Sequence, residues 1–224
     1  MEIYRFNASH KPAVAGGLAL AAFAALAVLA IMSEPTLLRL DLAAQGFILE
    51  SRTGWLDQAM VWLTFLGTRY VIGVASLALL AWSLVTRRHR TFVLLLVAAV
   101  LLNPVIEFGF KELVGRVRPA VAQLLPGNGP SFPSGHVLAA VGFYGLVPIL
   151  AWEATRNAWV RLSALVSSLA VIAVVTISRP YLDVHWTTDA VAGALLGTAL
   201  VAGTYQAFLA LKSPSRSHDG SALA

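Results

Sequence analysis

Three short segments of this chain concentrate residue types that can bind and attack a phosphate group. The first is Lys111 through Pro119, KELVGRVRP; the second is Pro133-Ser134-Gly135-His136; the third runs from Ser178-Arg179 through His185 to Asp189. Lys111, Arg118 and Arg179 supply permanent cations. An arginine fork matches two phosphate oxygens at once, and a lysine ammonium acts as a compact point charge. Ser134 and Gly135 directly precede an apolar run. If that run is helical, its N-terminus presents free N–H groups and the positive end of the dipole, and glycine lets an anion come close to the backbone. His136 and His185 can act as nucleophile and proton donor. Asp189 lies four residues after His185. On a helix it shares that face and can hold one ring nitrogen while the other stays free. The residue types alone leave open which histidine attacks, with only Asp189 favouring His185.

Each feature taken singly has a plainer explanation. A lone histidine or arginine at a membrane interface is usually structural, and Pro-Ser-Gly is an ordinary capped loop-to-helix junction. The weight lies in their clustering, because ionisable groups at membrane depth are costly. Glu112, Arg116 and Asp183 fit no pattern and are read as solvated loop charges. Glu107, inside an apolar run, is read as a partner for one of the cations or as a lining group, not as a catalytic residue.

These segments need a scaffold, and composition says which kind. The chain has 224 residues, 58% hydrophobic and 12% charged, against roughly 25% charged in a soluble domain. It has no cysteine, which excludes disulfides, thiolate catalysis and cysteine-ligated metals. Apolar runs recur at Ala13–Met32, Tyr70–Val85, Thr91–Phe110, Val137–Trp152, Leu162–Ser178 and Ala190–Leu211. Each is close to the length needed to cross the hydrocarbon, so six spans are expected. The first run is longer than the apolar stretch of a signal peptide and is read as an uncleaved span. Residues 33–69 mix charges with Leu, Phe and Trp at helical spacing, the pattern of one or two amphipathic helices lying in the interface. Gly193 and Gly197 form a small-xxx-small pair suited to close packing of the last span. The tail after Lys212 is polar and expected to be disordered.

With the N-terminus in the cytoplasm, nine basic residues fall on the cytoplasmic side and seven on the other. Three of the seven are the candidate phosphate-binding cations Lys111, Arg118 and Arg179, and setting them aside leaves nine against four. The positive-inside rule then puts both termini in the cytoplasm. All three chemical segments fall together on the outer side. The net charge of +5 is read as loop and lipid-facing charge, not as a nucleic-acid surface.

The spacing Lys111, six residues, Arg118-Pro119; then Pro133-Ser134-Gly135-His136; then Ser178-Arg179, five residues, His185, three residues, Asp189 resembles the three-part signature of the type 2 phosphatidic acid phosphatase superfamily. That superfamily includes lipid phosphate phosphatases, undecaprenyl diphosphate phosphatases, glucose-6-phosphatase and soluble vanadium haloperoxidases. The resemblance implies that His185 attacks phosphorus to form a phosphohistidine, that Asp189 orients it and that His136 protonates the leaving oxygen. It also implies that Lys111, Arg118, Ser134, Gly135 and Arg179 hold the phosphate oxygens.

The expectation is therefore an all-α, single-domain, six-helix membrane bundle over residues 1–224, with an amphipathic segment between the first two spans. Its expected activity is hydrolysis of a lipid phosphate or diphosphate, of the undecaprenyl diphosphate, phosphatidylglycerol phosphate, phosphatidic acid or lipid A class. No cofactor and no metal ion are expected. The rivals are a lipid phosphotransferase using the same phosphohistidine and, in a different class, an anion transporter. The expected location is a bacterial inner membrane, multi-pass, with the site on the outer side; oligomeric state is not legible. A reporter fused after Lys212 should read cytoplasmic, and a tag in the loop of residues 120–129 should be labelled from outside intact cells. Protection of that loop would reverse the topology.

Overall fold

The computed structural model describes residues 2–119 and 121–212, with side chains from Lys11 onward; the expected disordered tail lies outside them. In chain order the helices are α1 (Glu2–Ile31), α2 (Pro35–Glu50), α3 (Gly54–Leu63), a 3₁₀ turn (Thr64–Gly67), α4 (Arg69–Thr86), α5 (Arg90–Val114), α6 (Gly135–Tyr144), α7 (Val147–Ala154), α8 (Ala158–Tyr181) and α9 (Thr187–Lys212). No strand occurs among the described residues. Six stretches are long and apolar enough to cross a membrane: Lys11–Ile31, Arg69–Thr86, Arg90–Val114, Gly135–Ala154, Ala158–Tyr181 and Thr187–Lys212.

Local chemistry sets the boundaries. Proline opens α2, where its missing N–H has no partner to lose. The Thr68 side chain caps α4, and the Asn157 side chain accepts from the Trp159 and Val160 amides at the start of α8. Gly115, with φ of 62°, ends α5 in the left-handed conformation and bonds back to the Lys111 carbonyl. The fourth span is broken between α6 and α7. Pro148 has no N–H to continue the ladder across Tyr144 and Gly145.

α3, with 10 residues, is too short to cross the hydrocarbon. The amphipathic segment is present as α2, α3 and the 3₁₀ turn, but its polar face does not simply meet water. Asp41 and Gln45 of α2 are buried against protein, while Leu38, Leu40, Leu42 and Phe47 are exposed. Those two polar side chains find partners in the loops they cover.

α6 is the central element, packed between α5, α8 and α9. One apolar cluster joins Ile72, Phe92, Leu96, Phe143, Leu146 and Phe208. Another joins Phe23, Leu37, Phe132, Leu138 and Leu196. Outer faces carry exposed Leu77, Leu94, Leu101, Val105, Leu165 and Val166, as a lipid-facing surface should. The expected glycine pair does seat α9 on α6. A Cβ on Gly193 would stand 2.6 Å from the Ser134 carbonyl oxygen, and one on Gly197 2.7 Å from the Val141 Cβ. The first contact is with backbone, which cannot move aside as a side chain can.

Gly193→Ala should therefore destabilise the bundle by about 1–3 kcal/mol, the usual range for overpacking. Gly203→Ala, where nothing lies within 4 Å, should be neutral or slightly stabilising. Thermal unfolding of both variants in detergent checks the contrast.

Candidate active site

The three chemical segments meet at one end of the bundle, around a cavity of about 340 Å³. Lys111, Arg118, Gly135, His136, Arg179 and His185 line it, joined by Arg69, Glu107, Asn103 and Gly67. Ser134 and Asp189 stand just behind the wall, both fully buried. Lys111 comes from the last turn of α5, Arg118 from the loop after it, Gly135 and His136 from the first turn of α6, and Arg179 from the end of α8. His185 lies in the short connection from α8 to α9.

The imidazole of His185 is fixed by its surroundings. Nδ1 is 2.7 Å from the Ser131 carbonyl oxygen. A carbonyl only accepts, so Nδ1 carries the proton and Nε2 keeps its lone pair. Nε2 stands 3.2 Å from an Arg118 terminal nitrogen. The Asp189 carboxylate is 3.7 Å from Nδ1, outside hydrogen-bond reach. Ser131 is thus the direct hydrogen-bond partner, and Asp189 acts on the ring as a nearby charge. Burial pushes the His185 pKa down to about 4, against the pull of Asp189 and with the cations Arg179 and Arg118 adding to the depression. The ring is neutral at pH 7.

Asp189 has other duties. Its Oδ1 accepts from Arg116 at 2.6 Å, and its Oδ2 accepts the Trp186 amide at 2.9 Å, capping α9. Arg116 also reaches Asp41 of α2 at 2.6 Å. Asp41 in turn accepts from the Thr188 amide and hydroxyl. The expectation that Arg116 and Asp183 are solvated loop charges is wrong for both. Arg116 is held in two ion pairs with its side chain 11% exposed. Asp183 is fully buried and accepts from Gln45 and from the Val121 and Ala122 amides. Each finds buried partners that are distant in sequence, and a charge buried with good partners is tolerated where a lone one is not.

The cations differ in availability. All five Arg118 donors are engaged: with the Gly129, Asn128, Pro130 and Val184 carbonyls and with His185. Arg118 therefore fastens the 128–130 loop as well as facing the cavity. Arg179 gives one Nη1 donor to Thr64 at 2.7 Å, while its buried Nε has no hydrogen-bond partner among the described residues. The Ser134 hydroxyl is in the same condition. Orphaned buried donors beside a cationic cavity and a helix N-terminus suit an oxyanion. Thr64, Ser131, Arg116 and Asp41 were not legible as site residues; the one available hint was the pairing of Asp41 with Gln45, one turn apart on α2.

Comparisons with known proteins point to one family. Residues 92–213 match the family profile described as the PAP2 superfamily. The chain is 33% identical to phosphatidylglycerophosphatase B of Bacillus subtilis over 66% of its own length and 73% of that protein. It is 29% identical to an undecaprenyl-diphosphatase of Sulfolobus acidocaldarius, over 64% of this chain and 66% of that one. Among solved structures, it superposes on a transmembrane PAP2-type phosphatidylglycerolphosphate phosphatase from Bacillus subtilis with a TM-score of 0.78 and 25% identity, covering 92% of this chain and all of that one. Aquifex aeolicus LpxE shares the fold at a TM-score of 0.57 and 22% identity, covering 75% of this chain and 95% of that one.

The buried His185 should titrate near pH 4, well below the roughly 6.5 of a free histidine. Because the folded state resists the proton, the stability this group contributes is present above about pH 6.5 and is lost as pH falls toward 4. Carbon-13 histidine spectra in detergent, assigned with His185→Gln, read the midpoint directly; a midpoint near 6.5 would refute the buried neutral ring.

Proposed function

Since this chain belongs to the PAP2 superfamily, we propose that it is a membrane phosphatase that hydrolyses a lipid phosphate or lipid diphosphate through a phosphohistidine on His185. The observation that carries the reading is the Nε2 atom of His185. It is unprotonated because Nδ1 is held by Ser131, and it shares the cavity with Lys111, Arg118 and Arg179. A nucleophile is thereby aimed into a site built to hold a dianion.

The residues take the following parts. Lys111, Arg179 and the N-terminal amides of α6 at Gly135 receive the phosphate oxygens, with the Ser134 hydroxyl and Arg179 Nε as the unengaged buried donors. Arg118 releases its contact with Nε2 and turns that donor to the phosphate. The Nε2 lone pair forms a bond to phosphorus while the bond from phosphorus to the lipid oxygen breaks. With the phosphate dianion bound beside it, His136 takes up a proton from solvent and gives it to that oxygen. Water then attacks phosphorus, its proton passes to His136, and the N–P bond returns its electrons to Nε2. One ester or anhydride bond and one water yield the dephosphorylated lipid and inorganic phosphate. The positive charge of the cavity stabilises the transferring phosphoryl group, as electrostatic preorganisation does in phosphoryl transfer generally.

A lipid suits the site because the cavity continues from its cationic end along Ile72, Ala99, Val100, Ala139, Phe143 and Leu200. An amphiphile can place its phosphate among the cations and its first apolar atoms against these side chains. Pro104 lines the same wall, where its missing N–H interrupts the α5 ladder. The relatives named above act on phosphatidylglycerol phosphate and undecaprenyl diphosphate by their names, and these two classes head the substrate panel. The excess of basic residues in the opposite loops supports a site on the outer face.

Purified protein should release inorganic phosphate from such lipids in detergent; transfer of the phosphate to a second lipid would instead make it a phosphotransferase. His185→Ala should abolish turnover and all acid-quenched phosphoenzyme. His136→Ala should lose about 10²–10⁴-fold on a lipid monoester, and less on an aryl phosphate, whose leaving oxygen needs no proton. Phosphoenzyme retained in His185→Ala and lost in His136→Ala on the aryl substrate would reverse the two roles.

A further inference from the structure

The cationic cavity already contains an anion of its own. Glu107 lies on α5 one turn before Lys111, and its carboxylate pairs with the Lys111 ammonium at 2.6 Å. It lines the same wall as Arg118, Arg179 and both histidines. The carboxylate is pressed against the first residue of α6. A Cβ placed on Gly135 would overlap all three of its carboxyl atoms. The space that glycine opens at the helix N-terminus is thus filled by a side chain of this protein. The neighbouring Ser134 hydroxyl remains buried without a partner, so the carboxylate sits beside the phosphate donors and does not satisfy them all.

We propose that Glu107 is a built-in competitor for the phosphate cradle, which a substrate phosphate must displace and which re-enters to expel the inorganic phosphate product. This rests on the reading of the cavity as a phosphate site. A carboxylate and a phosphate present similar oxygen edges to Lys111 and to the α6 N-terminus, and one anion occupies the cradle at a time because like charges at contact repel strongly in a poorly solvated site. The difference in charge sets the outcome. A dianionic phosphate ester draws more from the cations than a single carboxylate does and displaces it. Once the ester is cleaved and the lipid no longer anchors the phosphate, the tethered carboxylate competes at a high effective concentration. The device keeps Lys111 paired between turnovers and limits product inhibition. Glu107 is in this sense a specificity-determining residue, selecting for lipid-anchored dianions over free anions.

The test is competitive inhibition by inorganic phosphate and by orthovanadate, with phosphate binding read independently by phosphorus-31 NMR in a His185→Ala background, where no turnover is needed. Glu107→Gln keeps the shape and removes the charge. Phosphate should bind it about tenfold more tightly or better, a coupling within the usual range for two linked ligands, and the KM for the lipid should fall with it. Glu107→Asp keeps the charge on a shorter arm and should shift affinity in the same direction by less; it serves if the glutamine variant does not fold. Equal or weaker phosphate binding in the variants overturns the role of Glu107 while leaving the phosphatase reading intact. No phosphate binding to either form overturns the phosphate site itself, and this proposal with it.

Discussion

The ion pair between Arg116 and Asp189 is the contact on which the site depends. Each of the three chemical segments is tied to the others at this point. Arg116 joins the first segment to the third. The Ser131 amide, two residues ahead of the second segment, donates to the Arg116 carbonyl at 2.8 Å and so ties the entry to that segment to the first, and the Ser134 amide donates to the Asp189 carbonyl at 3.0 Å, joining the third to the second. The three links close a triangle whose corners are loops and helix ends, not continuous helix. Arg116 is also paired with Asp41, so the interfacial helix α2 covers the triangle. A buried ion pair is expensive to desolvate. Here the cost is offset because the two carboxylates are satisfied further by Thr188 and the Trp186 amide, leaving no uncompensated charge.

The same constraint explains why α6 can be so deeply placed. In lipid no hydrophobic drive holds helix to helix, and close approach through small residues takes its place. Gly193 and Gly197 bring α9 against α6, and Gly67 brings the 3₁₀ turn against His136, where a Cβ would stand 3.1 Å from its carbonyl oxygen. The N-terminus of α6 is carried into the cavity by these contacts. Thr64, in the same turn, holds Arg179. The interfacial segment therefore works as part of the site's wall as well as a membrane contact.

Charge within the cavity is arranged in layers. Cations and a helix N-terminus face inward, one carboxylate sits among them, and the structural carboxylates Asp41, Asp183 and Asp189 lie behind, fully or almost fully buried. His185 stays neutral in this company because burial and two arginines outweigh Asp189. A neutral imidazole with a free Nε2 is the form that can attack in the proposed reaction, so the cations proposed to bind the phosphate also help to keep the ring deprotonated.

Much of this was legible in the linear chain. Apolar run lengths determine six spans, since the hydrocarbon thickness leaves little freedom. The spacing of Lys111, Arg118, His136, Arg179, His185 and Asp189 identifies the family, and all of them but Asp189 line the cavity, because the span ends that carry them fall at one end of the bundle. The tertiary structure alone decided what supports them. That Ser131 holds His185 is a backbone carbonyl contact, which no residue type encodes. That Arg118 is saturated by the loop it fastens depends on the path of residues 128–130. Arg116, Asp41 and Asp183 have ordinary neighbours in sequence and find their partners 60 or more residues away. A sequence records local spacing, whereas the satisfaction of a buried charge is settled only when distant segments are brought within hydrogen-bond distance.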